Sequence, residues 1–259
     1  MKTRIHFAPN YFYQPTHPIT IVLIGVGGTG SMMLARLARI DHALREVGHP
    51  GLHLTAYDSD TVESSNVGRQ LYTQSDIGEY KVVNAVNKVN RAFGLLWEGI
   101  PMDTLPDGED IRANIIISCV DNARFRMLLS RSLKRPHKGA DYQTNYYWMD
   151  LGNSRDTGQF VLGSLFEEQR EVQRDDFEMV DKLKNIIDFF PDLDAHDTQT
   201  LQGYGCSYAD KLNEQSLFIN DVLAAHASDC LFRLLYHKQI QKHGAFVNLE
   251  SGKVNSIGL

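Results

Sequence analysis

The sequence predicts an α/β protein: a Rossmann-like, doubly wound, mainly parallel sheet with an antiparallel extension and a long crossover excursion. Three observations predict it. The apolar run Ile19-Thr20-Ile21-Val22-Leu23-Ile24 passes directly into a glycine turn, Gly25-Val26-Gly27-Gly28-Thr29-Gly30, and then into helical periodicity. Strand-like and helix-like periods alternate as far as Lys134, as crossovers between parallel strands require. From about residue 166 the period breaks and acidic residues accumulate.

Each element has its own reason. Ile19 to Ile24 is nearly continuously apolar, the pattern of a strand buried on both faces. Ser31 to Val47 carries an apolar face through Leu34, Leu37, Ala38, Leu44 and Val47 and reads as a helix. Leu52 to Tyr57 is the second strand, and Lys81 opens a helix in which Val82, Val86, Val89 and Phe93 keep the helical period. Ala113 to Val120 is a β-rich run that ends at Asp121-Asn122, before a helical stretch from Arg124 to Lys134. Tyr146 to Leu151 and Gln159 to Leu165 read as two strands joined across Gly152-Asn153-Ser154. Residues 166 to about 205 form the excursion, with a helical patch from Val180 to Phe190. A helix from about Leu217 to Gln239 and a hairpin from Phe246 to Ile257, turning at Glu250-Ser251-Gly252, complete the chain. The expected organisation is one domain over residues 1–259, with a nucleotide-binding core at 19–165, the excursion at 166–205 and the last helix and hairpin at 206–259.

Composition excludes some classes of function. No apolar run approaches a membrane span, and the N-terminus lacks the apolar segment of a secretory signal, so a cytoplasmic location without membrane contact is expected. Net charge is −6, against a nucleic-acid surface, which needs a basic patch. Residues 167–197 hold eleven acids and four bases, a balance of −7, so the rest of the chain is close to neutral. That segment reads either as a solvated face or as a docking face for a basic partner. Cys119, Cys206 and Cys230 form no CxxC pair, and the ten histidines show no metal-ligand spacing and are expected at the surface.

The chemistry is concentrated between residues 25 and 122. Gly25, Gly27, Gly28 and Gly30 stand where strand meets helix, the context in which backbone approaches a phosphate at a helix N-terminus. Asp58 ends the second strand, where a carboxylate can accept from ribose hydroxyls. It stands 28 residues after Gly30, farther than the roughly 20 of a dinucleotide site. Asp60 either assists it or caps the following turn. Hydride transfer has no need of Arg69 and Lys81 near the phosphates, whereas attack at an α-phosphorus accumulates negative charge that a guanidinium and an ammonium offset. Asp121, at the end of a buried strand, either holds Mg²⁺ against ATP phosphates, or caps the next helix, or does both. Asn66, Gln70 and Asn122 complete the candidate ATP-binding set.

Taken together these residues resemble the ubiquitin-activating-type enzymes in their small bacterial branch, ThiF, MoeB and HesA, and most of all the ThiF-family members of the bacterial PRTRC cassette. The likeness runs from about Ile19 to Tyr236 and is densest from Gly25 to Lys81. It implies a ribose-binding acid at Asp58, the family asparagine and arginine at Asn66 and Arg69, the helix lysine at Lys81 and a magnesium-binding aspartate at Asp121, in a Cys-x-Asp-Asn pattern. The implied reaction is ATP-dependent adenylation of the C-terminal glycine of a small ubiquitin-like protein by a homodimer. A non-catalytic nucleotide-binding scaffold for such a partner is the alternative. Two departures stand out: Arg4 is the sole arginine before the glycine turn, where the family has an Arg-Tyr-x-Arg-Gln segment, and the two CxxC zinc pairs are missing. Cys206 falls about where relatives carry a cysteine that takes the activated carboxyl or carries sulfur; here it is either that nucleophile or an inert packed thiol. Cys119 and Cys230 read as core, and Tyr11-Phe12-Tyr13 either serves an interface or packs on the sheet.

Overall fold

The structure, a computed structural model, describes residues 2–102, 111–166, 176–191 and 215–259. Its centre is strand β2 (Ile19–Ile24); β1 (Thr3–Phe7) and a four-residue helix α1 (Asn10–Tyr13) precede it. On one side β2 pairs in parallel with β3 (Leu52–Tyr57), which pairs with the short β4 (Glu98–Ile100). On the other side it pairs with β5 (Ile115–Ser118), and β5 pairs with β6 (Tyr147–Asn153), again in parallel. Crossover helices α2 (Gly28–Glu46), α3 (Lys81–Phe93) and α4 (Ala123–Ser132) connect the parallel strands. The antiparallel extension is β7 (Thr157–Ser164), β10 (Lys242–Asn248) and β11 (Lys253–Gly258), which gives the order β11-β10-β7-β6-β5-β2-β3-β4.

β2 lacks polar alternation because both its faces are covered. Ile19, Ile21 and Leu23 belong to the core formed with α2, α3 and α6 (Ile219–Phe232), while Val22 and Ile24 belong to a second core with Ile116, Leu129, Trp148 and Ile186 on the opposite face. Ile186 comes from α5 (Ile186–Phe189), the observed part of the helical patch expected from Val180 to Phe190.

Several boundaries move for identifiable reasons. Helix α2 starts inside the glycine turn, three residues before the expected Ser31, because close packing there demands glycine even though glycine is a poor helix former. Val47, expected on the apolar face, is the C-cap and is 58% exposed. Gly152 and Asn153 belong to β6, and Ser154 closes the hairpin with its N–H on the Thr157 carbonyl at 2.8 Å. After Phe232 the last helix widens into a π turn, Arg233–His237, that ends at Lys238 in the left-handed region at φ 61°. The final hairpin is longer than expected, with Gly252 at φ 64° in its turn.

Other features went unanticipated. Strand β1 forms a second, three-stranded sheet between β8 (Phe177–Met179) and β9 (Gln239–Ile240), so part of the acidic excursion is anchored. His6 bridges the two sheets: Nδ1 lies 2.7 Å from the Val180 carbonyl, and Nε2 lies 2.7 Å from the Tyr147 hydroxyl. His6 and His243 are buried, against the expected surface placement, because each satisfies ring nitrogens on core groups. Within Tyr11-Phe12-Tyr13, Phe12 is fully buried edge-on against Tyr146 and Tyr147, whereas Tyr13 is exposed. Cys206 and most of the acidic run lie outside the described residues. Among the described residues no helix is long and apolar enough to cross a membrane.

Phe12 docks the N-terminal segment on the strand β6 region. Phe12→Ala should therefore cost about 3–5 kcal/mol of stability, measured by urea denaturation; a change below about 1 kcal/mol would mean that the segment does not carry the core.

Candidate functional site

The C-terminal ends of β2, β3, β5 and β6 open into a cleft of about 520 Å³, the position where open α/β sheets bind ligands. The glycine turn forms its floor. Gly25 sits at φ 84°, and a Cβ there would lie 2.8 Å from the Cys119 carbonyl oxygen. A Cβ on Gly28 would lie 2.6 Å from the Asn220 carboxamide, and one on Gly30 would lie 1.9 Å from the Gly25 carbonyl oxygen. Gly25, Gly27 and Gly28 line the cleft. Gly30 is buried behind them and does not itself line the cleft. Gly27 is the N-cap of α2 and no side chain caps that helix, so its first-turn amides suit an anion.

Asp58 stands at the end of β3 and holds the turn from below. Its Oδ2 accepts the Val26 N–H at 2.6 Å and its Oδ1 accepts the Asp60 N–H at 2.8 Å. Burial lifts its pKa above the usual carboxylate range, while the two N–H groups pull the other way. Tyr72 clamps the far side, its hydroxyl donating to the Val26 carbonyl at 2.6 Å. Asp60 caps no helix. Its carboxylate accepts from Lys81 Nζ at 2.7 Å, and the Lys81 side chain is only 10% exposed, so the first residue of α3 is a buried, paired cation.

The segment between β3 and α3 supplies the opposite wall. Asn66 is buried and accepts the Glu63 N–H at 2.9 Å, closing a turn of 3-10 helix. Arg69 donates to the Ser65 carbonyl at 3.3 Å and to Gln215 Oε1 at 3.2 Å. Gln70 Oε1 is buried without a hydrogen-bond partner among the described residues. Across the cleft Asp121 is exposed on the wall. The helix cap is its neighbour: Asn122 Oδ1 accepts the Phe125 N–H at 3.0 Å, which leaves the Asp121 carboxylate with no hydrogen bond or ion pair among the described residues. Asp58, Asp60, Asn66, Arg69, Gln70, Lys81, Asp121 and Asn122 thus line one cleft with the glycines.

Beneath the Asp121 turn lies a buried ion pair that periodicity does not reveal. Arg126 donates through Nε to Asp150 Oδ1 at 3.0 Å and through Nη2 to the carbonyls of Val120 and Leu151. Ser118 donates to the same Asp150 oxygen at 2.5 Å and accepts from Trp148 Nε1 at 2.8 Å. Burial raises the Asp150 pKa despite Arg126. Burial likewise raises the Cys119 and Cys230 thiols, Cys230 to about 12; Cys230 is in the core as expected, whereas Cys119 is partly buried and lines the cleft. Thr29, Asn153, Gln215 and Asn220 also line the cleft and were missed: Thr29 stands among the motif's glycines, which alone were singled out, and the other three are neutral polar residues outside it, which carry no sequence signal. Among the described residues no cluster of three or more metal-ligand side chains occurs.

The family model described as ThiF family matches residues 6–139. A curated relative, ubiquitin-like modifier-activating enzyme 5 of Oryza sativa subsp. japonica, is 24% identical over 161 residues, which are 56% of this chain and 34% of that protein. The chain therefore spans about a third of the length of this relative. Among solved structures, E. coli MccB with ATP superimposes with a TM-score of 0.56 at 15% identity, covering 93% of this chain and 63% of that one. The PaaA structure gives a TM-score of 0.56 at 15% identity, covering 93% and 64%. At this identity the likeness shows the Rossmann-like fold.

Arg126→Ala strands the Asp150 carboxylate in the core and should cost about 3–5 kcal/mol in denaturant unfolding near neutral pH. The loss should shrink on acidification. A carboxyl whose folded pKa lies above its unfolded value takes up a proton on folding, so stability falls as pH rises through that interval. A cost independent of pH would assign Arg126 to packing alone.

Proposed function

From its membership of the ThiF family, we propose that this chain is an ATP- and Mg²⁺-dependent adenylating enzyme that activates the C-terminal glycine carboxylate of a small ubiquitin-like protein and releases pyrophosphate. The reading rests on one observation above the others: Asp58, Arg69, Lys81 and Asp121 line a single cleft around an uncapped helix N-terminus. Asp58 keeps acceptor capacity for ribose, since each carboxylate oxygen has a second lone-pair site beyond the backbone N–H it already holds. The phosphates lie over the first turn of α2, where amides and the helix dipole favour negative charge. The Asp121 carboxylate suits Mg²⁺, which characteristically takes one or two carboxylates together with substrate phosphates. When bound, the ion offsets phosphate charge and assists departure of pyrophosphate.

The partner's carboxylate oxygen forms a bond to the α-phosphorus while the bond from the α-phosphorus to the oxygen bridging it to the β-phosphorus breaks, its electron pair leaving on that oxygen with pyrophosphate. Arg69 and Lys81 stabilise the charge gathered on the phosphate oxygens. Both are held in place beforehand by exchangeable polar partners, Gln215 and Asp60. Transfer of the acyl group to the Cys206 thiolate, with loss of AMP, is the proposed later step, and assembly as a homodimer belongs to the same reading. The alternative, a nucleotide-binding scaffold without turnover, is favoured by one observation: Arg4 is engaged with Glu178 at 3.2 Å and with the Leu259 carbonyl, and is not at the cleft.

Partner-dependent exchange between pyrophosphate and ATP should fall about 100-fold or more in Arg69→Ala and in Asp121→Ala. Unchanged exchange in both would remove the proposed site, and ATP binding without exchange in the unmodified chain would favour the scaffold. Calorimetric titration should give preference for ATP over NAD; the reverse preference would return the cleft to dinucleotide chemistry.

A further inference from the structure

We propose that Gln215 and Asn220 form the subsite that receives the incoming carboxylate, holding it through neutral amide N–H groups on the side of the phosphates away from the ribose. The inference rests on the adenylation reading and extends it to how the acceptor is recognised. The argument begins with strand order. Along the C-terminal edge of the sheet the chain presents Asp58 at β3, the glycine turn at β2, Asp121 at β5 and Asn153 at β6. With ribose at the β3 end and phosphates over β2, the remaining reactant must enter over β5 and β6. Asn153, at the end of β6, and Asn220, bonded to it, line the cleft, and Gln215 reaches from Asn220 towards Arg69.

The orientation of the amides is the second observation. Asn220 is 4% exposed, and its Oδ1 accepts from the Thr29 hydroxyl at 2.8 Å and from Asn153 Nδ2 at 2.7 Å. Gln215 Oε1 accepts from Arg69 Nη2 at 3.2 Å and from Asn220 Nδ2 at 3.4 Å. Both carbonyl ends are therefore engaged within the wall. What the two amides have left to offer is N–H: the Gln215 NH₂ group, which makes no hydrogen bond among the described residues, and the second Asn220 N–H. The Gln215 and Asn220 amides thus offer N–H groups with both carbonyls already engaged, which suits an anion.

Neutral donors also suit a nucleophile. A guanidinium or ammonium in direct contact would draw charge from the carboxylate oxygen that must attack, whereas amides orient it and leave its lone pairs basic. Asn153 and Thr29 are positioning residues in this scheme, since they fix which end of Asn220 faces inward.

The test uses the full chain with Mg²⁺ and a non-hydrolysable ATP analogue, titrated calorimetrically with a short synthetic peptide ending in Gly-Gly as free carboxylate and with the same peptide as carboxamide. The unmodified chain should bind the carboxylate form about tenfold more tightly or better, as donation to a charged group allows. Gln215→Glu keeps an oxygen for Arg69 and replaces the donor with an acceptor, so the preference should vanish or invert toward the carboxamide. Asn220→Asp keeps the acceptor for Thr29 and Asn153 and should act the same way. A merely structural role would weaken both peptides equally. Equal binding of the two peptides to the unmodified chain, or a preference that survives both substitutions, would overturn the subsite. Repeating the titrations without the analogue separates the two readings: a chain that prefers the carboxylate but binds no analogue keeps the subsite and loses adenylation, and one that binds the analogue without preference does the opposite.

Discussion

The cleft depends on how closely backbone can approach backbone at the glycine turn. The chain leaves β2, reverses at Gly25 with positive φ against the Cys119 carbonyl, and enters α2 with Gly30 pressed on the Gly25 carbonyl oxygen. Gly28 meets the Asn220 carboxamide in the same small volume. Any side chain at these three points would push apart β5, α2 or α6, and with them the walls that carry Asp121 and Asn220. Asp58 and Tyr72 hold the turn from either side by bonding to the N–H and carbonyl of Val26. The floor of the cleft is thus set by sterics and by hydrogen bonds from Asp58 and Tyr72, which are distant from it in sequence.

Charge in the cleft is arranged in pairs. Lys81 is buried on Asp60, Arg69 leans on Gln215, and Arg126 is buried on Asp150 beneath the Asp121 turn. The first two cations face the cleft, and their partners are either well exposed or neutral, so release of either cation from its partner would leave no buried charge stranded. The third pair faces inward, with both partners almost wholly buried, and is structural. Asp121 alone among the acids Asp58, Asp60 and Asp121 has no such bond among the described residues, which sets it apart as the group suited to a cation.

Much of this was legible in the sequence because the parallel core obeys short-range rules. Ile19 to Ile24, Leu52 to Tyr57 and Lys81 to Phe93 follow from apolar continuity or helical period, and Asp58 and Lys81 fall at the ends of those elements. What escaped depended on distant pairing. β1 has no pattern that distinguishes it from a polar tail; it is a strand because Phe177–Met179 and Gln239–Ile240 lie alongside it. Asp60 read as a turn residue because its partner Lys81 is 21 positions away, and Asn122 rather than Asp121 caps α4 through local backbone geometry.

The sequence by itself determined the order of the core strands and helices, the glycine turn and the polar set around it, since periodicity, the steric uniqueness of glycine and residue chemistry act over a few positions. Only the tertiary structure decided which carbonyls are engaged and which N–H groups remain, which charges are paired, and that Asn153, Gln215 and Asn220 meet over the turn. Hydrogen-bond saturation is a property of groups brought together from separate segments, here those of Thr29, Arg69, Asn153 and Gln215 to Asn220, and it exists only after the chain has folded.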